Sequence, residues 1–199
     1  MHKKIIYLIS ISVLLGLTSC GESIAYKYTN RNPVVVCEGM DQDLMNEALY
    51  SFEDNIAKSI ANNHFGVGSP LYYNFGYASY IYRGVMGESN YQKIASQHTQ
   101  ILAKALAKEP IWTGTKPNVK LDYNSTFVSC LVENVELEEI RRTFDNLKSA
   151  NSMDIKLMIN IFMKQVGETE KDKELAVIVA LDTFYRHLIN ETVYQPLDE

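Results

Sequence analysis

The stretch KELAVIVALDTFYRHLI, residues 173–189, decides the fold of this chain. Its apolar side chains fall on most sides of a helix, and charges are few. Helices that are apolar nearly all round are usually buried inside a domain. The stretch IKLMINIFMKQVG, residues 155–167, shares this character and ends at Gly167. We therefore predict that these two helices form a hairpin at the centre of the core.

Helical periodicity extends from this hairpin over most of the chain, because apolar residues recur at spacings of three and four. Asp41 is the predicted N-cap of the first helix, and Ser69 followed by Pro70 opens the second. The stretch of residues 110–123 has no period and contains two prolines, so we predict a loop there. The sequence predicts an all-α fold, a compact bundle of about six or seven helices in a single domain of residues 37–199.

A different pattern occupies the N-terminus. Lys3 and Lys4 precede an uncharged apolar run over residues 5–17, which is too short to cross a hydrocarbon core of about 30 Å comfortably. The run ends in the sequence Leu-Thr-Ser-Cys at residues 17–20. This order resembles the signal peptide and lipobox of bacterial lipoproteins. The alternatives are an ordinary signal peptide with a chance cysteine and an uncleaved anchor.

The resemblance implies that residues 1–19 are a lipoprotein signal peptide and that acylated Cys20 anchors the chain in a lipid bilayer. Residues 20–36 would then be the lipidated cysteine and a tether that lifts the domain off the membrane. Gly21, and not Asp, follows the cysteine. In the best-known sorting rule Asp at that place retains a lipoprotein in the inner membrane. We therefore expect a location in the cell envelope, at the outer membrane, facing the periplasm or the cell surface.

Two cysteines remain in the mature chain, Cys37 and Cys130. An exported protein meets an oxidising compartment, where an even pair of cysteines favours a disulfide. The alternative is two buried free thiols. The charge of the chain excludes another class of partner, because 24 Asp and Glu outnumber 19 Lys and Arg. Nucleic-acid binding calls for a basic patch, so we expect no nucleic-acid partner.

Motifs for common chemistry are absent. The chain has no HExxH, no pair of histidines at helical spacing and no G-x-S-x-G, so we expect no metal, no cofactor and no catalytic residue. His98 and His187 each fall beside apolar residues and are predicted to be satisfied core or boundary histidines. If the chain were an enzyme, its unfamiliar site would lie at His64 or at the glutamates of residues 133–139.

Tyrosine is the one enriched residue, with five within residues 72–82. On a helix Tyr73, Tyr77 and Tyr80 share one face, and Trp112 in the predicted loop could join them. Tyrosine is favoured at interfaces because it combines a large apolar ring with a polar tip. We predict a binding surface here. The alternative is a boundary helix with buried rings and solvated hydroxyls.

These patterns favour a membrane-anchored, non-catalytic binding or scaffolding lipoprotein that acts on an envelope protein partner. A second hypothesis is a lipoprotein that captures a glycan or a small molecule in a pocket lined by the tyrosine-rich helix and Trp112. An enzyme with an unfamiliar site is the third.

Overall fold

The computed structural model describes residues 24–33, 36–60 and 64–191. The predictions for residues 1–23, among them the signal peptide and acylated Cys20, lie outside the described residues. The helices run over α1 Gln42–Ile60, α2 Leu71–Met86, α3 Tyr91–Ile94, α4 Gln97–Leu106, α5 Thr126–Asn134, α6 Glu138–Ser149, α7 Ile159–Lys164, α8 Val166–Thr169, α9 Lys173–Ala180 and α10 Arg186–Glu191. The all-α prediction is confirmed.

One hairpin of two short strands interrupts the helices. Strands β1 Trp112–Thr113 and β2 Lys120–Leu121 pair antiparallel, with Trp112 opposite Leu121. They occupy the stretch that we predicted as a loop. With only two residues in each strand, the sequence shows no alternation of apolar and polar side chains that would predict them. No helix within the described residues is long and apolar enough to cross a bilayer.

The C-terminal helices lie at the centre of the core, as predicted. Every residue from Leu175 to Tyr185 is buried. A π-helical turn, Leu181–Tyr185, joins α9 to α10 without a break in the path. The chief neighbours of α9 are α5 and α1.

The predicted hairpin partner of this central helix is wrong. Residues 155–167 form a 3₁₀ turn, Ile155–Met158, then α7 and the start of α8, and this segment packs mainly against α2. Leu157 and Met163 are 61% and 42% exposed. Only one face of the segment is buried, at Ile155, Met158 and Phe162, so its apolar composition overstates its burial.

The predicted start of the first helix is confirmed. The Asp41 carboxylate accepts the Asp43 and Leu44 amides at 2.9 and 3.1 Å, as an N-cap should. Between Tyr91 and Leu106 the helical path is divided into α3 and α4, because Ser96 accepts the Thr99 amide at 3.2 Å and begins α4.

The predicted disulfide is confirmed. Cys37 and Cys130 are bonded, with their Cα atoms 5.8 Å apart and a sequence separation of 93 residues. In the chain-entropy model a crosslink closing such a loop stabilises the fold by about 4–5 kcal/mol. The crosslink attaches the residues before α1 to helix α5.

The tether prediction is wrong for residues 24–33. This segment lies on α1 and α2 and does not extend from the domain. The buried Glu47 carboxylate accepts the Lys27 and Tyr28 amides at 2.8 and 2.9 Å. The polar composition of this segment suggested a free tether. Its docking depends on Glu47 and Asp54 of α1, which lie outside the segment and cannot be inferred from its own residues.

Candidate functional site

A cleft of about 470 Å³ lies between the β1–β2 hairpin, the segment before α7 and helix α10. Its volume is in the range of sites that hold small molecules. Six charged residues line it: Lys120, Asp122, Asp154, Lys156, Asp182 and Arg186.

Asp182 stands at the bottom of this cleft on the π-helical turn and is 3% exposed. The Tyr123 hydroxyl donates to its Oδ2 at 2.8 Å. The Arg186 Nη1 lies 3.1 Å from its Oδ1, although that oxygen accepts no hydrogen bond of good geometry. Burial raises the pKa of Asp182, while the Arg186 charge and the Tyr123 hydroxyl oppose the rise. The result is a buried ion pair that is only partly satisfied.

The backbone at Asp182 is irregular for a visible reason. In the wide turn the Arg186 amide donates to the Leu181 carbonyl, five residues back. The Thr183 carbonyl accepts the Tyr80 hydroxyl at 2.8 Å. Single π turns inside helices occur frequently at functional sites.

His187 forms the next part of the wall. Its ring stacks on Tyr91 with centroids 4.2 Å apart and planes at 3°. Burial, together with the charges of Arg186 and Lys156, lowers the pKa of His187 to about 4. The ring is therefore neutral at neutral pH. Its Nε2 lies 3.3 Å from Arg186 Nη2, which can only donate, so the ring proton sits on Nδ1.

The rim of the cleft is held in place by amide contacts. Asn190 accepts the Val119 amide at 2.9 Å and donates to the Val119 carbonyl at 3.0 Å, which fixes the hairpin loop to α10. Gly114 has φ of 81°, and a Cβ there would stand 2.6 Å from the Asn118 carbonyl oxygen. The loop therefore requires glycine at this position.

Two acids of the cleft accept hydrogen bonds from nearby backbone amides, whereas two of its lysines have no ion-pair partner among the described residues. Asp122 accepts the Asn124 amide and Asp154 accepts the Lys156 amide, both at 2.9 Å. Lys120 and Lys156 are exposed and form no ion pair with any described residue. The donors that remain available are therefore positively charged, and they suit an anionic group.

A larger groove of about 760 Å³ lies beside α2, lined by Ser59, Tyr80, Arg83 and Lys93 among others. None of its lining residues is a buried charged group. Its rim also includes Ile60, at the edge of the described residues. We therefore place the candidate site at the smaller cleft.

The predicted tyrosine surface is wrong at two of its residues. Tyr77 and Tyr80 are 0% and 1% exposed. The Tyr77 hydroxyl donates to the buried Glu53 at 3.1 Å, and the Tyr80 hydroxyl donates to the Thr183 carbonyl. Each hydroxyl has a buried partner, so the ring face that we predicted to meet a ligand is part of the core.

The other two predicted residues, Tyr73 on α2 and Trp112 on β1, are half-buried and belong to different elements. The Tyr73 hydroxyl donates to Asp54 at 2.7 Å. The Trp112 Nε1 donates to the Leu106 carbonyl at 2.6 Å. Neither residue lines the larger groove beside α2 or the cleft at Asp182.

The residues named for an unfamiliar enzyme do not converge. His64 is exposed with its ring beside Phe75, and Glu133, Glu136, Glu138 and Glu139 are exposed. Within residues 24–33, 36–60 and 64–191, no three His, Cys, Asp or Glu side chains are placed to hold a metal ion. His98 is a satisfied boundary histidine, as predicted, with Nε2 2.5 Å from Glu47.

Sequence reasoning missed Asp182, Arg186 and the lining role of His187. The signal was a carboxylate in the middle of an apolar run, with an arginine four residues later. A charge at a buried position requires a partner, and the i, i+4 arginine is the nearest one.

No family model, no curated protein and no solved structure matches this chain. The cleft and the N-terminal motif are therefore the two features that bear on function.

Proposed function

We propose that the chain is a lipid-anchored lipoprotein of the bacterial envelope whose helical domain binds a small anionic ligand in the cleft at Asp182. The observation that carries the binding site is the buried Asp182–Arg186 pair on a π-helical turn, facing a concave surface with two lysines that pair with no acid of the described residues. Asp182 orients Arg186, and Lys120 and Lys156 supply further charge at the rim.

The anchor is proposed from the resemblance of residues 3–20 to a lipoprotein signal with its lipobox. Acylated Cys20 would hold the protein in the bilayer, at the outer membrane, facing the periplasm or the cell surface. Several acyl chains are needed for stable anchoring, since one chain alone binds membranes only marginally.

A binding role, and not a catalytic one, is favoured by how the titratable groups of the cleft are used. The Asp182 carboxylate accepts a hydrogen bond from the Tyr123 hydroxyl and forms an ion pair with Arg186. His187 is stacked on Tyr91 with its Nε2 toward Arg186. No serine, threonine or cysteine hydrogen-bonds His187 among the described residues, so the arrangement of a base beside a nucleophile is not formed there.

A protein partner in the envelope is the second candidate. The exposed apolar side chains of Leu157, on the 3₁₀ turn, and Met163, on α7, favour it, because exposed apolar side chains suit a contact with another protein. Capture of a partner that depends on these two residues and not on the cleft would replace ligand binding as the function.

The anchor is tested by feeding cells a labelled palmitate and isolating the full-length protein. We expect label in the wild type and none in Cys20→Ser. Label retained by the variant would contradict the lipobox assignment.

The cleft is tested with the mature lipidated protein in non-ionic detergent, using inorganic phosphate and acetate as probes in calorimetric titrations. We expect the double variant Lys120→Gln, Lys156→Gln to weaken anion binding at least tenfold, because it removes both unpaired cations. Lys93→Gln in the larger groove is the matched control and should bind like the wild type. Equal binding by all three proteins would refute the proposed site.

A further inference from the structure

Residues 24–33, here named the strap, are fixed to the domain by their main chain. Glu47 is 2% exposed and its two carboxylate oxygens accept the Lys27 and Tyr28 amides. His98 on α4 contacts the same carboxylate at 2.5 Å. The strap therefore closes over a buried acid and supplies a hydrogen bond to each of its oxygens.

The side chains of the strap add a second attachment. The Arg31 guanidinium lies 4.8 Å from the ring centroid of Tyr50 and 5.5 Å from that of Tyr28. It lies 6.0 Å from the ring of Tyr73 and donates to that hydroxyl at 3.3 Å. A cation within about 6 Å of a ring centroid is attracted to the ring face.

An aspartate completes this cage. Asp54 accepts the hydroxyls of Tyr28 and Tyr73, each at 2.7 Å and each on a different oxygen. The Tyr50 hydroxyl donates to the Asn32 carbonyl at 2.9 Å, so both ends of the Arg31 turn are bound. Arg31 is thus held against two rings of the domain, Tyr50 and Tyr73, and against Tyr28 of the strap itself. Asp54 joins the hydroxyls of two of these rings.

The position of the strap limits how far the domain can stand from Cys20. Ile24 packs against the core, and only four residue steps separate it from Cys20. Fully extended, four steps span about 14 Å. Without the strap contacts the first fixed residue would be Cys37, held by its disulfide, and the 17 steps from Cys20 would span up to about 58 Å.

We propose that the strap holds the helical domain against the bilayer, with the start of α1 as the membrane-facing surface; this rests on the lipid anchor of the proposed function. Tyr26 lies at that surface, and the charges of Asp41 and Glu109 act on it. Asp41 and Glu109 are themselves in contact, at 3.3 Å from amide to carboxylate. An acidic edge suits the ammonium groups of zwitterionic lipids better than anionic headgroups.

The test uses the mature lipidated protein in vesicles of phosphatidylethanolamine and phosphatidylcholine that carry a dansyl headgroup lipid. Trp112 is the only tryptophan and serves as the energy-transfer donor. We expect strong transfer in the wild type. A 12-residue Gly-Ser insertion after Gly21 should lower the transfer at least twofold, because it lengthens the tether and leaves the strap untouched.

Release of the strap is tested separately with Tyr28→Ala, Arg31→Ala, which removes the cage contacts. We expect at least tenfold faster hydrogen exchange at the amides of residues 27 and 28, together with a loss of transfer like that of the insertion. Lys27→Ala is the matched control on the same strap, since its amide contact with Glu47 remains.

The outcomes separate the two proposals. Protected amides in a protein that does not associate with vesicles would refute the lipid anchor and leave the strap intact. Vesicle-bound wild type with low transfer, or a released strap with unchanged transfer, would overturn the inference. If the amides of residues 27 and 28 exchange freely in the wild type, the strap does not hold the domain and the inference is equally overturned.

Discussion

Two buried carboxylates in this molecule have the same kinds of partner and different surroundings. Glu53 on α1 is 3% exposed, accepts the Tyr77 hydroxyl at 3.1 Å and pairs with Lys173 at 2.9 Å. Burial raises the pKa of Glu53 and the Lys173 charge opposes the rise. The helices that carry these residues are regular, and Glu53 lines neither the larger groove nor the cleft.

Asp182 has the same exposure and also pairs with a tyrosine and a cation. It differs in three respects: its helix turn is π, its Oδ1 lacks a well-formed hydrogen bond, and a cleft opens beside it. Burial and a raised pKa are therefore common to a structural group and to a candidate site. The irregular backbone and the cavity are what distinguish the two.

The largest expected effect comes from removing one cation from each group. Arg186→Met leaves the Asp182 carboxylate uncompensated in the core, and we expect a loss of about 3 kcal/mol in the free energy of unfolding. Lys173→Met should cost about 1 kcal/mol, because the Lys173 side chain is 32% exposed, against 17% for Arg186, and solvent screens its charge more strongly.

Urea unfolding at pH 7 measures both losses, with the exposed Arg142→Met as the control for removing an arginine. Equal losses from Arg186→Met and Lys173→Met would mean that the two groups are energetically alike. The cleft and the π turn beside Asp182 would then have no measurable effect on the stability of its ion pair.

A double substitution separates stability from binding. Asp182→Asn with Arg186→Met removes both charges of the pair, and we expect about 2 kcal/mol of the Arg186→Met loss to return, since replacing both partners is often close to neutral. Anion binding should stay lost, because the cation that faces the cleft is gone. The matched pair Glu53→Gln with Lys173→Met should leave binding at the wild-type level in the same titration.

The sequence predicted the burial of residues 173–189 because a helix that is apolar around its whole circumference is stable in water only when other elements cover it. It predicted the Cys37–Cys130 disulfide from the number of cysteines and the expected export. It could not place the cleft, because the neighbours of Asp182 come from Tyr123 and from residues 154–156, far apart in the chain.

Two of the wrong predictions, the tyrosine surface and the tether, share a physical cause. A tyrosine-rich helix suits either an interface or a core, and the choice depends on partners such as Glu53 and the Thr183 carbonyl that only the fold brings near. A polar segment suits either a free tether or a docked strap, and the choice depends on Glu47. In both cases local composition was compatible with two outcomes that differ in tertiary contacts.

The pH dependence of stability gives a smaller effect that belongs to the cleft alone. His187 has a pKa of about 4 in the folded protein and an ordinary value of 6.5. As pH falls from 6.5 toward 4, the unfolded chain binds a proton that the folded one does not, so stability decreases over that window. We expect His187→Phe, which retains an aromatic ring for stacking on Tyr91, to remove about 1–2 kcal/mol of this decrease.

The check is a series of urea unfolding curves from pH 7 to pH 4.5. His64→Phe is the control, because it makes the same replacement at an exposed position outside the cleft. A His187→Phe profile that follows the wild type would show that the imidazole is not shielded, and it would remove this residue from the wall of the cleft.

The smallest effect tests the two tyrosines that hold the carboxylates. Tyr123→Phe and Tyr77→Phe each delete one hydroxyl that donates to a buried acid, so each should cost about 1 kcal/mol of unfolding free energy. Tyr82→Phe, at an exposed position, should cost almost nothing. Anion affinity separates the two buried positions, because only Tyr123 orients a carboxylate that in turn orients Arg186. If Tyr77→Phe weakened anion binding as much as Tyr123→Phe, the effect would come from general loosening of the core, and the special status of the Asp182 group would be lost.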